Sequence, residues 1–147
     1  MAKPHIFQAL LKRGARRYRL VNRTRALVVA DRIEPAFDSR TRRTGLLGRQ
    51  MLPSDTVLAI APSNAIHTFG MKFPIDLLFI ARDGRVVKRV LSLPARRISA
   101  ALRAFAVLEF AAGHTGVAAT HPGDYLAIEE DTSPTTAVTT ANGDTTT

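Results

Sequence analysis

The chain has 147 residues, is 46% hydrophobic, carries a formal net charge of +9 and contains no cysteine. That length and apolar content fit one domain with a real core, while the missing cysteine excludes disulfides, thiolate metal sites and a Cys nucleophile. No apolar run reaches membrane-spanning length and the start lacks a hydrophobic signal core, so a cytoplasmic protein is expected.

The charge is uneven. Residues 1–25 hold eight Lys or Arg and no acid, whereas residues 67–147 hold eight of each sign. Residues 1–19 therefore read as a basic N-terminal arm, with Phe7, Leu11 and Tyr18 near one helical face. Isolated helices this short are marginal in water, so the arm is expected to be disordered or to form an amphipathic helix on contact. Its cations Lys12, Arg13, Arg16 and Arg17 suit nonspecific contact with nucleic acid or an anionic membrane.

Residues 18–22 and 26–33 read as two strands around a turn at 22–25, the second rich in β-branched side chains. The period changes over 34–47. Pro35 suits a first helical turn, Asp38 and Ser39 are capping types and Gly48 suits the end, which predicts the main helix of the domain. Arg42 and Arg49 lie seven apart, on one face if the helix runs that far, where guanidinium groups can reach a carboxylate or an anion. A strand at 56–61 follows, closed by Pro62.

The longest apolar passage, I-H-T-F-G-M-K-F-P-I-D-L-L-F-I-A at 66–81, predicts strands at 66–71 and 75–81 broken at Pro74, which cannot donate to a ladder. Asp83-Gly84 is a strong hairpin signal, returning 85–91 antiparallel to 75–81. Residues 95–104 read as a basic surface loop, 106–110 as a strand, and 111–119 as a short helix or turn. His121-Pro122-Gly123-Asp124 then turns into a last strand at 125–129. Residues 131–147 are threonine-rich, cannot build a core and are expected to be disordered. The sum is a mainly β (α+β) fold over residues 20–130: a compact, mostly antiparallel barrel or sandwich with one main short helix.

Several separated motifs resemble one family. They are R-x-x-G-L-x-x-R from Arg42 to Arg49 with Leu52-Pro53, the I-H-T-F-G-M-K-F-P-I-D-L-L-F-I run with Asp83-Gly84, and then V-L-E-F-A-A-G and P-G-D. In this order they are similar to the domain-of-unknown-function family DUF192, over about residues 20–130. The resemblance implies a small β-rich domain with little helix and no established activity. Family members often carry tryptophan or cysteine after the later proline, where this chain has Ala95.

The candidate chemistry sits where polar residues interrupt the apolar passage. On strand alternation Ile75, Leu77 and Phe79 share one face, and Asp76 shares the other with Leu78 and Ile80. A carboxylate among apolar neighbours demands donors. It can cap the Pro74 turn, pair with Arg42 or Arg49 to lock helix to sheet, or line a polar pocket with Arg49. His67 and Met71 share a strand face, Lys72 follows them, and Glu109 shares its face with Val107, with a structural ion pair to an arginine as its plainest role.

The pool His67, Asp76, Glu109, His114, His121 and Asp124 has no metal-ligand spacing, and no G-x-S-x-G or glycine-rich phosphate loop occurs. No metal or cofactor is therefore expected. The favoured function is a noncatalytic binding module for a small polar or anionic ligand or a protein segment, built from Arg42, Arg49, His67, Met71, Lys72, Asp76 and Glu109. The alternatives are an adaptor held to membrane or nucleic acid by the arm, and an enzyme using His67 and Asp76 as acid-base groups.

Overall fold

The computed structural model describes residues 4–12, 14 and 16–134. Three sheets are built from ten strands. The strands β1 (Tyr18–Asn22), β2 (Leu27–Ala30) and β10 (Leu126–Glu130) form a three-stranded antiparallel sheet in the order β10-β1-β2. A five-stranded sheet runs β3-β4-β9-β6-β7, from β3 (Arg32–Ala36), β4 (Thr56–Ile60), β6 (Ile75–Ile80), β7 (Val86–Leu93) and β9 (Ala106–Ala111). A small ribbon pairs β5 (Ala65–His67) with β8 (Ile98–Ala100). No barrel closes, and the two larger sheets pack as a sandwich.

The alternation read along β6 sets the architecture. Leu78 and Ile80 join Leu108 and Phe110 of β9, Leu20 of β1, Val29 of β2 and Leu126 of β10 in the core between the two larger sheets. Ile75, Leu77 and Phe79 point to the opposite face, into a second core with Leu46, Leu52, Ile60 and Met71. Both faces of β4, β6 and β9 are thus covered, which is why these strands read as nearly unbroken apolar runs.

Several expectations change. The helix expected over 34–47 is only α1 (Ser39–Thr44), because residues 32–36 pair in parallel with β4 as an edge strand. An edge strand tolerates Pro35, whose missing N–H disrupts no interior ladder. Asp38 is the N-cap, its side chain accepting from the Thr41 N–H at 2.8 Å. The expected strand at 66–71 shrinks to β5, and the expected loop at 95–104 contains its partner β8. A second helix, α2 (Thr115–Ala118), packs so closely on β2 that a Cβ on Gly116 would stand 2.7 Å from the Val29 carbonyl oxygen.

In the N-terminal segment, Ile6–Leu11 forms a 3-10 turn whose Ile6 N–H donates to the Arg82 carbonyl at 2.9 Å. Phe7 is only 1% exposed and packs against Phe37 and Phe105, so this piece of the arm belongs to the core. Arg13 and residues 135–147 of the threonine-rich tail lie outside the described residues. Among those described, no helix is long and apolar enough to cross a membrane.

Candidate functional site

A cleft of about 640 Å³ opens on the face of the five-stranded sheet that carries α1. Its floor is Ile60 of β4 and Glu109 of β9, the middle strand of the sheet. One wall is α1 and the turn after it, contributing Arg42, Arg43 and Leu46; the other is Ser63, Ile66 and His67, and Met71 also lines the cleft.

Local sequence fixes the first wall. The Asp38 cap starts α1 and Gly45 ends it at φ +46°, a left-handed region that favours glycine. Arg42 is held in place by donating from Nη1 to the Phe37 carbonyl at 2.7 Å. Arg43 is exposed and enters no ion pair among the described residues.

Glu109 is the unusual member. It is 4% exposed, and its register partners on either side are Leu58 and Leu77, both buried. Its Oε2, itself buried, has no hydrogen-bond partner among the described residues. Burial pushes its carboxyl up from 4.5 to about 7, with the positive charge of Arg49 opposing that rise. Arg49 itself pairs with Glu34 at 2.8 Å, so the arginine whose charge acts on Glu109 is engaged elsewhere. A carboxyl poised near neutrality at the floor of a cleft can donate or accept a hydrogen bond, an environment typical of functional sites.

The structure therefore brings Arg42, His67, Met71 and Glu109 to one cleft and sets the other three expected residues apart. Arg49 reaches the site only through its field, and α1 ends before it, so Arg42 and Arg49 do not share a helical face. Lys72 is exposed and is not part of the lining. Asp76 points away, toward the core between the two larger sheets. Its Oδ1 accepts from the Ser92 N–H at 2.7 Å and its Oδ2 from the Gly113 and His114 N–H groups at 3.1 Å each.

Asp76 is thus a bracket between three backbone segments, paired with neither Arg42 nor Arg49, and no acid-base pair of His67 with Asp76 forms. The ring of His114, beside it, lies tilted 4.9 Å from that of Phe110, and its Nδ1 has no partner among the described residues; burial lowers its pKa while the Asp76 charge opposes the drop. Among the described residues no three His, Asp or Glu side chains gather as metal ligands.

Arg43 and Ser63 escaped the sequence reading, although the doubled arginine at Arg42-Arg43 offered a signal for the first. A buried polar cluster escaped it too. Asn22 donates to Thr120 Oγ1 at 3.1 Å and to Asp124 Oδ2 at 2.9 Å, and Asp124 also accepts from Arg25 Nε at 2.6 Å and the His121 N–H at 2.9 Å. These bonds overcome the burial of Asp124 and hold its carboxyl down at about 2. They fasten the β1–β2 turn to the start of β10, a structural task that engages every partner in the cluster.

Comparison with known proteins agrees with this fold. A family model described as "Uncharacterized ACR, COG1430" matches residues 20–128. A crystal structure from Sinorhizobium meliloti 1021, of a protein provisionally assigned as a transcription regulator, superposes with a TM-score of 0.65 at 24% identity, covering 78% of this chain and 92% of that one. A protein of unknown function from Novosphingobium aromaticivorans DSM 12444 gives 0.63 at 21% identity, covering 75% and 82%. No curated protein matches.

Proposed function

The chain belongs to the uncharacterised DUF192 family, and we propose that its cleft is a noncatalytic binding site for a small polar or anionic ligand. One observation carries this reading: Glu109, which lines the cleft beside Arg42 and Arg43, keeps a buried oxygen without a partner among the described residues. Such an oxygen costs about 1–3 kcal/mol while unpaired, and a ligand N–H or O–H would remove that cost. A carboxylate or phosphate on the same ligand would meet the guanidinium groups at the rim. With Asp76 fully engaged by backbone donors, the reading needs no acid-base pair.

The test is a thermal-shift screen of small carboxylates, phosphates, hydroxy acids and amino acids against the wild type, Glu109→Gln and Arg42→Ala/Arg43→Ala. A ligand at a hundred times its Kd raises the wild-type midpoint by about 5 °C or more, and both variants lose most of that rise. If every compound leaves the wild type unmoved, or moves all three proteins alike, the cleft is not the site.

A further inference from the structure

We propose that the β5–β8 ribbon and the turn after it form a docking surface for an anionic lipid bilayer, beside the cleft that β5 also lines. The ribbon carries exposed apolar side chains at both of its ends. Ile98, the register partner of His67, is 73% exposed, and Leu102 in the following turn is 89% exposed. Phe69 is 49% exposed with its ring 5.7 Å from that of His67. These side chains belong to one unit: the Thr68 carbonyl and hydroxyl accept from the Arg96 and Arg97 N–H groups at 3.2 and 2.9 Å, and the Ala101 N–H donates to Asn64 at 2.8 Å.

The charge around the ribbon is predominantly positive; the acids nearest these segments in sequence are the exposed α1 cap Asp38 and the buried Asp76. Residues 39–49, 64–74 and 94–105, which make the cleft rim and the ribbon, hold eight Lys or Arg and no Asp or Glu. Except for Arg49, none of these cations is in an ion pair among the described residues. On the ribbon itself Arg96, Arg97 and Arg103 flank Ile98 and Leu102 directly in sequence and are exposed.

Exposed cations beside protruding apolar side chains match the two attractions of an anionic bilayer, its surface potential and its acyl boundary. Nucleic acid would use the same cations, but it stacks its bases on aromatic or guanidinium planes. Phe69 and the exposed arginines offer such planes, but the two most exposed apolar residues, Ile98 and Leu102, are aliphatic and take no part in stacking. The occupant with a use for Ile98 and Leu102 is lipid.

Co-sedimentation tests the assignment, using the full chain with vesicles of phosphatidylcholine alone and of phosphatidylcholine mixed with phosphatidylglycerol. The wild type binds the mixed vesicles and not the neutral ones. Ile98→Ser with Leu102→Ser lowers that partitioning about tenfold, as does Arg97→Glu with Arg103→Glu. Lys12→Ala with Arg16→Ala and Arg17→Ala in the N-terminal segment retains it. All these positions are exposed, so circular dichroism and thermal midpoint stay at wild-type values.

Absence of vesicle binding by the wild type overturns the proposal, as does binding that ignores the Ile98/Leu102 pair or vanishes with the N-terminal triple variant. Displacement of the protein from vesicles by a single-stranded oligonucleotide it binds more tightly assigns the surface to nucleic acid instead.

Discussion

Asp76 offers the sharpest test of the packing account. Its carboxylate is 2% exposed and accepts three backbone N–H bonds, at 2.7, 3.1 and 3.1 Å, from Ser92, Gly113 and His114. In Asp76→Asn the amide oxygen can keep the Gly113 and His114 donors, but the amide nitrogen then faces the Ser92 N–H. One charge-assisted bond worth about 1.5–3 kcal/mol is lost, and two others fall to neutral strength. The expected destabilisation is about 3–4 kcal/mol in urea denaturation, with an unchanged m-value. Native-state hydrogen exchange should quicken first at Ser92, Gly113 and His114, the three amides the bracket holds. Loss of less than about 1 kcal/mol would refute the assignment of Asp76 as a structural bracket.

Further outcomes follow from other sites. Glu109 is raised from 4.5 to about 7, so the native state keeps a proton that the unfolded chain releases. Stability contributed by this group is full below about 4.5, falls as pH rises toward 7 and stays lost above it, by on the order of 3 kcal/mol. In Glu109→Gln the slope over that range should flatten, as read from urea midpoints at several pH values. Phe7→Ala removes a fully buried ring and should cost about 3–5 kcal/mol, showing in chemical denaturation that the N-terminal turn is part of the domain. Gly116→Ala sets a methyl 2.7 Å from the Val29 carbonyl oxygen and should cost about 1–3 kcal/mol by the same assay.

Much of the fold was legible because it rests on short-range rules. Period-two alternation along β6 assigned each side chain to its face, and Asp83-Gly84 fixed the return into β7. The Asp38 cap was legible for the same reason, but Pro35 suits both a first helical turn and an edge strand. Only the parallel pairing with β4, set by residues over twenty positions away, decides between them. The three-residue β8 has too few positions to show a period.

The site divided along the same line. Sequence identified Asp76 as a buried carboxylate in need of donors, yet those donors are backbone N–H groups 16, 37 and 38 residues onward, which no side-chain identity announces. Glu109 was correctly placed on the Val107 face. The expected ion pair with an arginine does not form: Arg49, whose charge acts on Glu109, pairs with Glu34 of the edge strand β3, and Oε2 stays buried without a partner among the described residues.

The central claim is that Glu109 stands as a dry, unpartnered carboxyl at the floor of a ligand cleft. Carbon-13 NMR titration of its side-chain carboxyl, assigned by difference with Glu109→Gln, measures this directly. A midpoint near 7 is expected, displaced by any compound that the thermal screen finds. A midpoint near 4.5, the ordinary value of the group, unmoved by every such compound, would mean a solvated glutamate and would contradict the account.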